Sequence, residues 1–126
     1  MASDYTTVII GTGFGGSMTG LSLAQTYADR SKGETISMEF QAIRLGSVAL
    51  VGIPVEPFAE IGAEVKERSP FATTFFSGYT NGVEAYMAMP YAFEEGGYEL
   101  WMCPFAPEAA GVTVNESVKL LYELMK

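Results

Sequence analysis

Glycine, concentrated in one stretch near the N-terminus, sets the tightest limit on how this chain can begin to fold. Thr6-Thr7-Val8-Ile9-Ile10 is β-branched and apolar, and Gly11-Thr12-Gly13-Phe14-Gly15-Gly16 follows at once. β-Branched residues suit the pleated surface of a sheet, so residues 6–10 read as a buried strand. The glycines after it predict a sharp turn, because glycine reaches positive φ without steric cost. Residues 17–29 set Met18, Leu21, Ala24 and Ala28 near one helical face, with Gly33 as a stop, so a helix is expected there. Residues 35–40 read as a second strand, and Glu39 stands near its end, 23 residues beyond Gly16.

Strand, glycine turn, helix, strand and acid, in that order, are what a dinucleotide-binding βαβ unit requires. Gly11 permits the tight turn, Gly13 admits a pyrophosphate close to the backbone, and Gly16 lets helix and strand pack closely. Thr12, Phe14 and Gly15 complete the loop. The helix start would offer free N–H groups and its positive dipole end to the phosphates. The expected cofactor is FAD or another ADP-containing dinucleotide; the plainer alternative is a glycine-rich turn that binds nothing. Residues 8–17 and those after them resemble the N-terminal FAD-binding segment of flavin oxidoreductases, cholesterol oxidases and the glucose–methanol–choline group above all. That resemblance covers about 30 residues. It implies that Gly11, Gly13 and Gly16 face the ADP pyrophosphate and Glu39 its ribose. Flavin redox chemistry is not expected, since that group's catalytic His region has no counterpart here.

Charge divides the chain near residue 33. Residues 1–33 carry Asp4, Asp29, Arg30 and Lys32 and are neutral, so residues 34–126 hold the whole net charge of −8. No basic residue lies between Arg68 and Lys119, while Glu84, Glu94, Glu95, Glu99, Glu108 and Glu116 do. Such a balance opposes nucleic acid and anionic lipid as partners; a solvated acidic face is the plain reading. The chain has no His and one Cys. That excludes Ser-His-Asp hydrolysis, zinc sites built on imidazole from this chain, and an internal disulfide. Cys103 reads as a small apolar filler.

Residues 36–43 partly alternate, residues 44–47 form a turn around Gly46, and residues 48–53 are a nearly continuous apolar strand, which together predict a hairpin. Pro57 is expected at the first position of a helix, with Glu56 at or beside its cap. Phe58, Ile61 and Val65 mark its apolar face, Glu64 and Arg68 form an i,i+4 pair, and Ser69-Pro70 stops it. Residues 73–76 read as a strand. Residues 77–111 are rich in Gly, Pro and aromatics without a clear period; Phe71, Phe75, Phe76, Tyr79, Tyr91, Phe93, Tyr98 and Trp101 are expected in the core or on a partner surface. Thr113-Val114-Asn115-Glu116 offers a capping box for a last helix, whose stripe is Val118, Leu121, Tyr122 and Met125.

This second segment has its own likeness. Ala42-Ile43-Arg44-Leu45-Gly46, Gly52-Ile53-Pro54-Val55-Glu56-Pro57-Phe58, residues 81–86 and Gly96-Gly97-Tyr98-Glu99 resemble the closing part of the catalytic domain of neutral/alkaline, non-lysosomal ceramidases and bacterial ceramidase-like proteins. The resemblance implies zinc-assisted cleavage of an N-acyl amide. It implies that Glu56 matches the family's Glu ligand and that Tyr86, five residues after Asn81, matches its Tyr ligand. Val55 stands where that family has Gly, and the two His ligands belong to earlier sequence with no counterpart here. Glu56 and Tyr86 are therefore a half-site, and no residue is assigned a catalytic role.

The expected fold class is α/β: a small two-layer or three-layer domain over residues 1–126, with a mostly parallel or mixed sheet and a Rossmann-like N-terminal βαβ unit. Residues 1–33 form the dinucleotide-binding-like unit and residues 34–126 the ceramidase-like segment, a chimera-like join. The leading functional reading is an incomplete ceramidase-like zinc amidohydrolase segment, inactive alone, completed by a partner chain or self-association. The alternatives are an FAD or ADP-dinucleotide module and an engineered or structural chimera without a ligand. No signal peptide or membrane span is visible, which leads to the expectation of a cytoplasmic product.

Overall fold

Alternating and β-branched runs pair into strands, and two amphipathic helices cover one face of the result. In the computed structural model the described residues are 6–12, 18–29, 34–83 and 85–126, with side chains described from Met38 onward. The chain runs β1 (Thr6–Thr12), β2 (Met18–Asp29), β3 (Glu34–Leu45), β4 (Val48–Gly52), β5 (Glu56–Pro57), α1 (Ala59–Glu67), β6 (Thr73–Ser77), β7 (Tyr86–Met87), α2 (Ala92–Glu95), α3 (Tyr98–Trp101) and α4 (Ala109–Glu123). The larger sheet has the order β1-β2-β3-β4-β6, and β5 pairs with β7 in a small second sheet. β1 to β4 are joined antiparallel, while β4 and β6 are parallel. The fold is thus a small mixed α/β domain with a mixed sheet.

The expected N-terminal βαβ unit is corrected. Residues 18–29 form a strand, antiparallel to β1 on one side and to β3 on the other, from Met18↔Leu45 to Asp29↔Glu34. Met18, Leu21, Ala24 and Ala28 fit a helical period, but Leu21, Leu23 and Tyr27 fit the alternation of a strand equally well. Thr19 and Gly20 weaken a helix, Thr26 and Tyr27 favour a strand, and a twelve-residue ladder decides the matter. The βαβ crossover lies later, in β4–α1–β6, where a helix returns the chain to a parallel neighbour.

The β3–β4 hairpin forms as expected, turning at Gly46 with φ 63°. On the helix-facing side, Phe40 and Ala42 of β3 and Ala49 and Val51 of β4 are fully buried. Ile61 and Val65 of α1 and Val114, Leu120 and Leu121 of α4 complete this core. The opposite side carries Leu45, Leu50 and Phe75, all exposed. Arg44, at the end of the covered side, donates through Nη1 to Leu124 O at 3.0 Å, capping α4, and lies over the Phe71 ring at 5.7 Å. A cation suits the negative end of a helix.

Two helix starts are also corrected. α1 begins at Ala59 with Phe58 as its cap, so Pro57 lies before the helix, in β5. Glu56 N and Phe58 N donate to Ala85 O and Met87 O, and Pro57 occupies the position between, which needs no donor toward β7. α4 begins at Ala109, so the expected capping box falls inside it. Thr113 is buried there with its hydroxyl on Met87 Sδ, and Asn115 accepts from Arg68 Nη2 at 2.8 Å, tying α4 to α1. Arg68 also pairs with Glu64 at 3.0 Å, as expected. Of the predicted stripe, Val118 and Leu121 are buried, whereas Tyr122 and Met125 are exposed. Cys103 is buried beside Phe105, in keeping with a filler role. Phe71 is buried and Phe76 and Phe93 pack against the core, whereas Phe75, Tyr79, Tyr91, Tyr98 and Trp101 are exposed. No helix among the described residues is long and apolar enough to cross a membrane.

Ser117 is fully buried on the inner face of α4, and its Oγ finds no hydrogen-bond partner among the described residues. Ser117→Ala is expected to stabilise the protein by about 0.5–1.5 kcal/mol, through better helix propensity and removal of an unsatisfied hydroxyl. A thermal melt checks this; a lower midpoint in the variant would show that the hydroxyl is bonded.

Candidate functional site

The chain from Ile53 to Phe58 is held along both edges. On one side Ile53 N donates to Ser77 O, Thr80 N to Ile53 O and Tyr79 N to Val55 O, each at 2.9 Å. On the other, Glu56 N donates to Ala85 O at 2.9 Å and Phe58 N to Met87 O at 3.0 Å. Val55 is fully buried, which anchors the strand beside Glu56. Positive φ among the described non-glycine residues occurs at Tyr79, Asn81 and Ala85, so Val55 needs no glycine-like backbone.

The double zipper makes Glu56 and Tyr86 direct Cα partners in the parallel β5–β7 pair. Two residues thirty positions apart in sequence thus present a carboxylate and a phenol at one place. The Tyr79 hydroxyl donates to Glu56 Oε2. The Tyr86 ring meets the Tyr98 ring edge-on, with centroids 6.1 Å apart. Its hydrogen bond to the Glu56 carboxylate, then partial desolvation, then the negative charge of Glu56 hold the Tyr86 phenol above its ordinary pKa. These interactions favour the neutral form of the Tyr86 phenol.

A second phenol–carboxylate contact lies nearby. Tyr91 Oη donates to Glu60 Oε1 at 2.6 Å, lowering the Glu60 pKa and raising that of Tyr91. It joins α1 to the start of α2. An open cleft of about 340 Å³ lies beside Tyr79, lined chiefly by Pro57, Phe58, Gly62, Lys66 and Phe76.

Backbone strain gathers at the site. Tyr79 has φ 54° and Ala85 φ 110°, conformations that side-chain-bearing residues seldom adopt. One bonds the Glu56 carboxylate; the other accepts the Glu56 amide and immediately precedes Tyr86. Strain of this kind persists only where the surroundings impose it, and it collects at functional sites. Tyr79 is a site residue that sequence reasoning missed, having placed it among general aromatics. Its signal was its setting, Gly78-Tyr79-Thr80-Asn81-Gly82.

The dinucleotide residues are not gathered in this way. Gly11 and Thr12 close β1, and Thr12 is the Cα partner of Thr19. Gly13, Phe14, Gly15 and Gly16 lie outside the described residues. Glu39 is an exposed residue of β3, paired with Ala24. The described residues after the glycines begin a strand at Met18, so they offer no helix start for a pyrophosphate.

For zinc, the donors are two hard oxygens, Glu56 and Tyr86. No group of three or more His, Cys, Asp or Glu suited to a metal occurs among the described residues. Catalytic zinc is held by three protein ligands and structural zinc by four, so the residues present fit half of such a site.

The fold and site together define a small α/β unit that sets a carboxylate and a phenol on paired strands of a second, small sheet. No family model matches the chain, and no curated protein matches it. Its structural neighbours are ceramidases. A ceramidase complexed with C2 superposes with a TM-score of 0.63 at 21% identity, covering 71% of this chain and 15% of that one. A neutral ceramidase from Pseudomonas aeruginosa gives 0.61 at 19% identity, covering 72% of this chain and 15% of that one. The chain thus spans about 15% of the length of these neighbours, and the likeness is one of fold. It supports the ceramidase-like expectation and gives no support to the flavin oxidoreductase part or to a chimera.

Proposed function

We propose that this chain is a ceramidase-like amidohydrolase segment that contributes Glu56 and Tyr86 to a metal centre whose remaining donors come from outside these 126 residues. The observation that carries the reading is the direct pairing of Glu56 with Tyr86 across β5 and β7. Both are hard oxygen donors, and the resemblance of the sequence to ceramidases would match both to ligands of that family. A bound zinc ion would supply Lewis acidity to polarise an amide carbonyl. Glu56 would bring negative charge to it and Tyr86 an oxygen once its proton is displaced. Two donors bind such an ion weakly, so the chain alone is not a catalyst.

Addition of Co2+ to the metal-free chain, followed by NMR, tests this. Signals of Glu56 and Tyr86 are expected to shift first and together, with weak affinity, and Glu56→Gln is expected to abolish the response. The chain with excess zinc is expected to leave an N-acyl sphingoid amide uncleaved. A Co2+ response elsewhere that spares Glu56 and Tyr86 would sink the half-site.

A further inference from the structure

The loop between β6 and β7 is fastened from several directions. Tyr79 N and Thr80 N donate to Val55 O and Ile53 O. Asn81 Nδ2 donates to Gln41 Oε1 at 2.9 Å, which fastens the loop to β3. Gly78 lies so close that a Cβ there would come within 2.7 Å of Pro57 Cδ and of Val55 O. Inside this clamp Tyr79 is held at φ 54°, although 52% of the residue remains exposed. Burial of its ring therefore does not account for the conformation. The specific contact it achieves is the hydrogen bond from its hydroxyl to Glu56 Oε2.

We propose that Tyr79 is a positioning residue, which, by occupying Oε2, holds the Glu56 carboxylate in one rotamer and leaves Oε1 as the oxygen offered to a cation shared with Tyr86. This rests on the half-site reading of Glu56 and Tyr86. A free glutamate side chain samples several rotamers and loses that freedom on binding. A carboxylate already fixed by a neighbour loses less, which is how a supporting hydrogen bond improves a ligand. Tyr79 touches neither the cation nor a substrate; it acts through Glu56.

Tyr79→Phe keeps the ring and the backbone and removes only the hydroxyl. In the metal-free full chain, carbon NMR couplings of Glu56 are expected to report one rotamer in the parent protein and an average of several in Tyr79→Phe, with the thermal midpoint unchanged. With Co2+ as probe, the variant is expected to need about 10–100-fold more metal for the same shift at Glu56 and Tyr86. An unchanged Glu56 rotamer, or equal Co2+ affinity, overturns the proposal. If the parent chain gives no Co2+ response while only Tyr79→Phe loosens Glu56, the half-site reading fails and the hold of Tyr79 on Glu56 stands.

Discussion

Phe40→Ala is expected to destabilise the protein by about 3–5 kcal/mol, the usual cost of truncating a buried aromatic. Phe40 is fully buried in the middle of β3, on the face that α4 covers. Its removal forfeits transfer free energy and leaves a cavity that flanking strands cannot close. A domain of this size has about 5–15 kcal/mol in all, so a large share of the stability would go. The thermal midpoint should fall by roughly 10–20 °C. Leu50→Ala is the control: Leu50 is 37% exposed on the uncovered side of the sheet and should cost much less. Equal losses in the two variants would contradict the assignment of the covered face.

Gly52→Ala should cost about 1–3 kcal/mol, by overpacking rather than by a cavity. A Cβ at Gly52 would lie 2.4 Å from Thr80 Cγ2, 2.6 Å from Thr80 Oγ1 and 2.7 Å from Thr80 Cβ. Rotation of Thr80 cannot relieve the last of these, so the loop itself must move. That loop carries Tyr79 and Asn81, and their bonds to Glu56 and Gln41 should weaken with it. Thr80→Gly removes the obstructing atoms, so Gly52→Ala should cost less in that background. A double-mutant cycle on melting data checks this; strictly additive costs would show that the two residues do not collide.

Part of this was legible in the sequence because it depends on neighbours along the chain. Alternation in residues 36–43, an apolar run in 48–53 and a glycine between them specify the β3–β4 hairpin locally. Ile61 and Val65 mark the buried face of α1 by helical spacing alone. The start of α4 was misread because Ala109, Ala110 and Gly111 carry little periodicity, yet both alanines are buried. The N-terminal segment was misread because residues 18–29 fit two periods, and only pairing with β1 and β3 chooses between them.

The sequence by itself determined the chemistry that is available: no imidazole, a single thiol, an acidic second segment, and a Glu and a Tyr as hard oxygen donors. Tertiary structure alone decided that Glu56 and Tyr86 face each other across a two-strand ladder, and that Tyr79 reaches the same carboxylate. Donor types are properties of single residues. Their meeting is a property of strand register, set by backbone hydrogen bonds between segments some thirty residues apart, which no local pattern encodes.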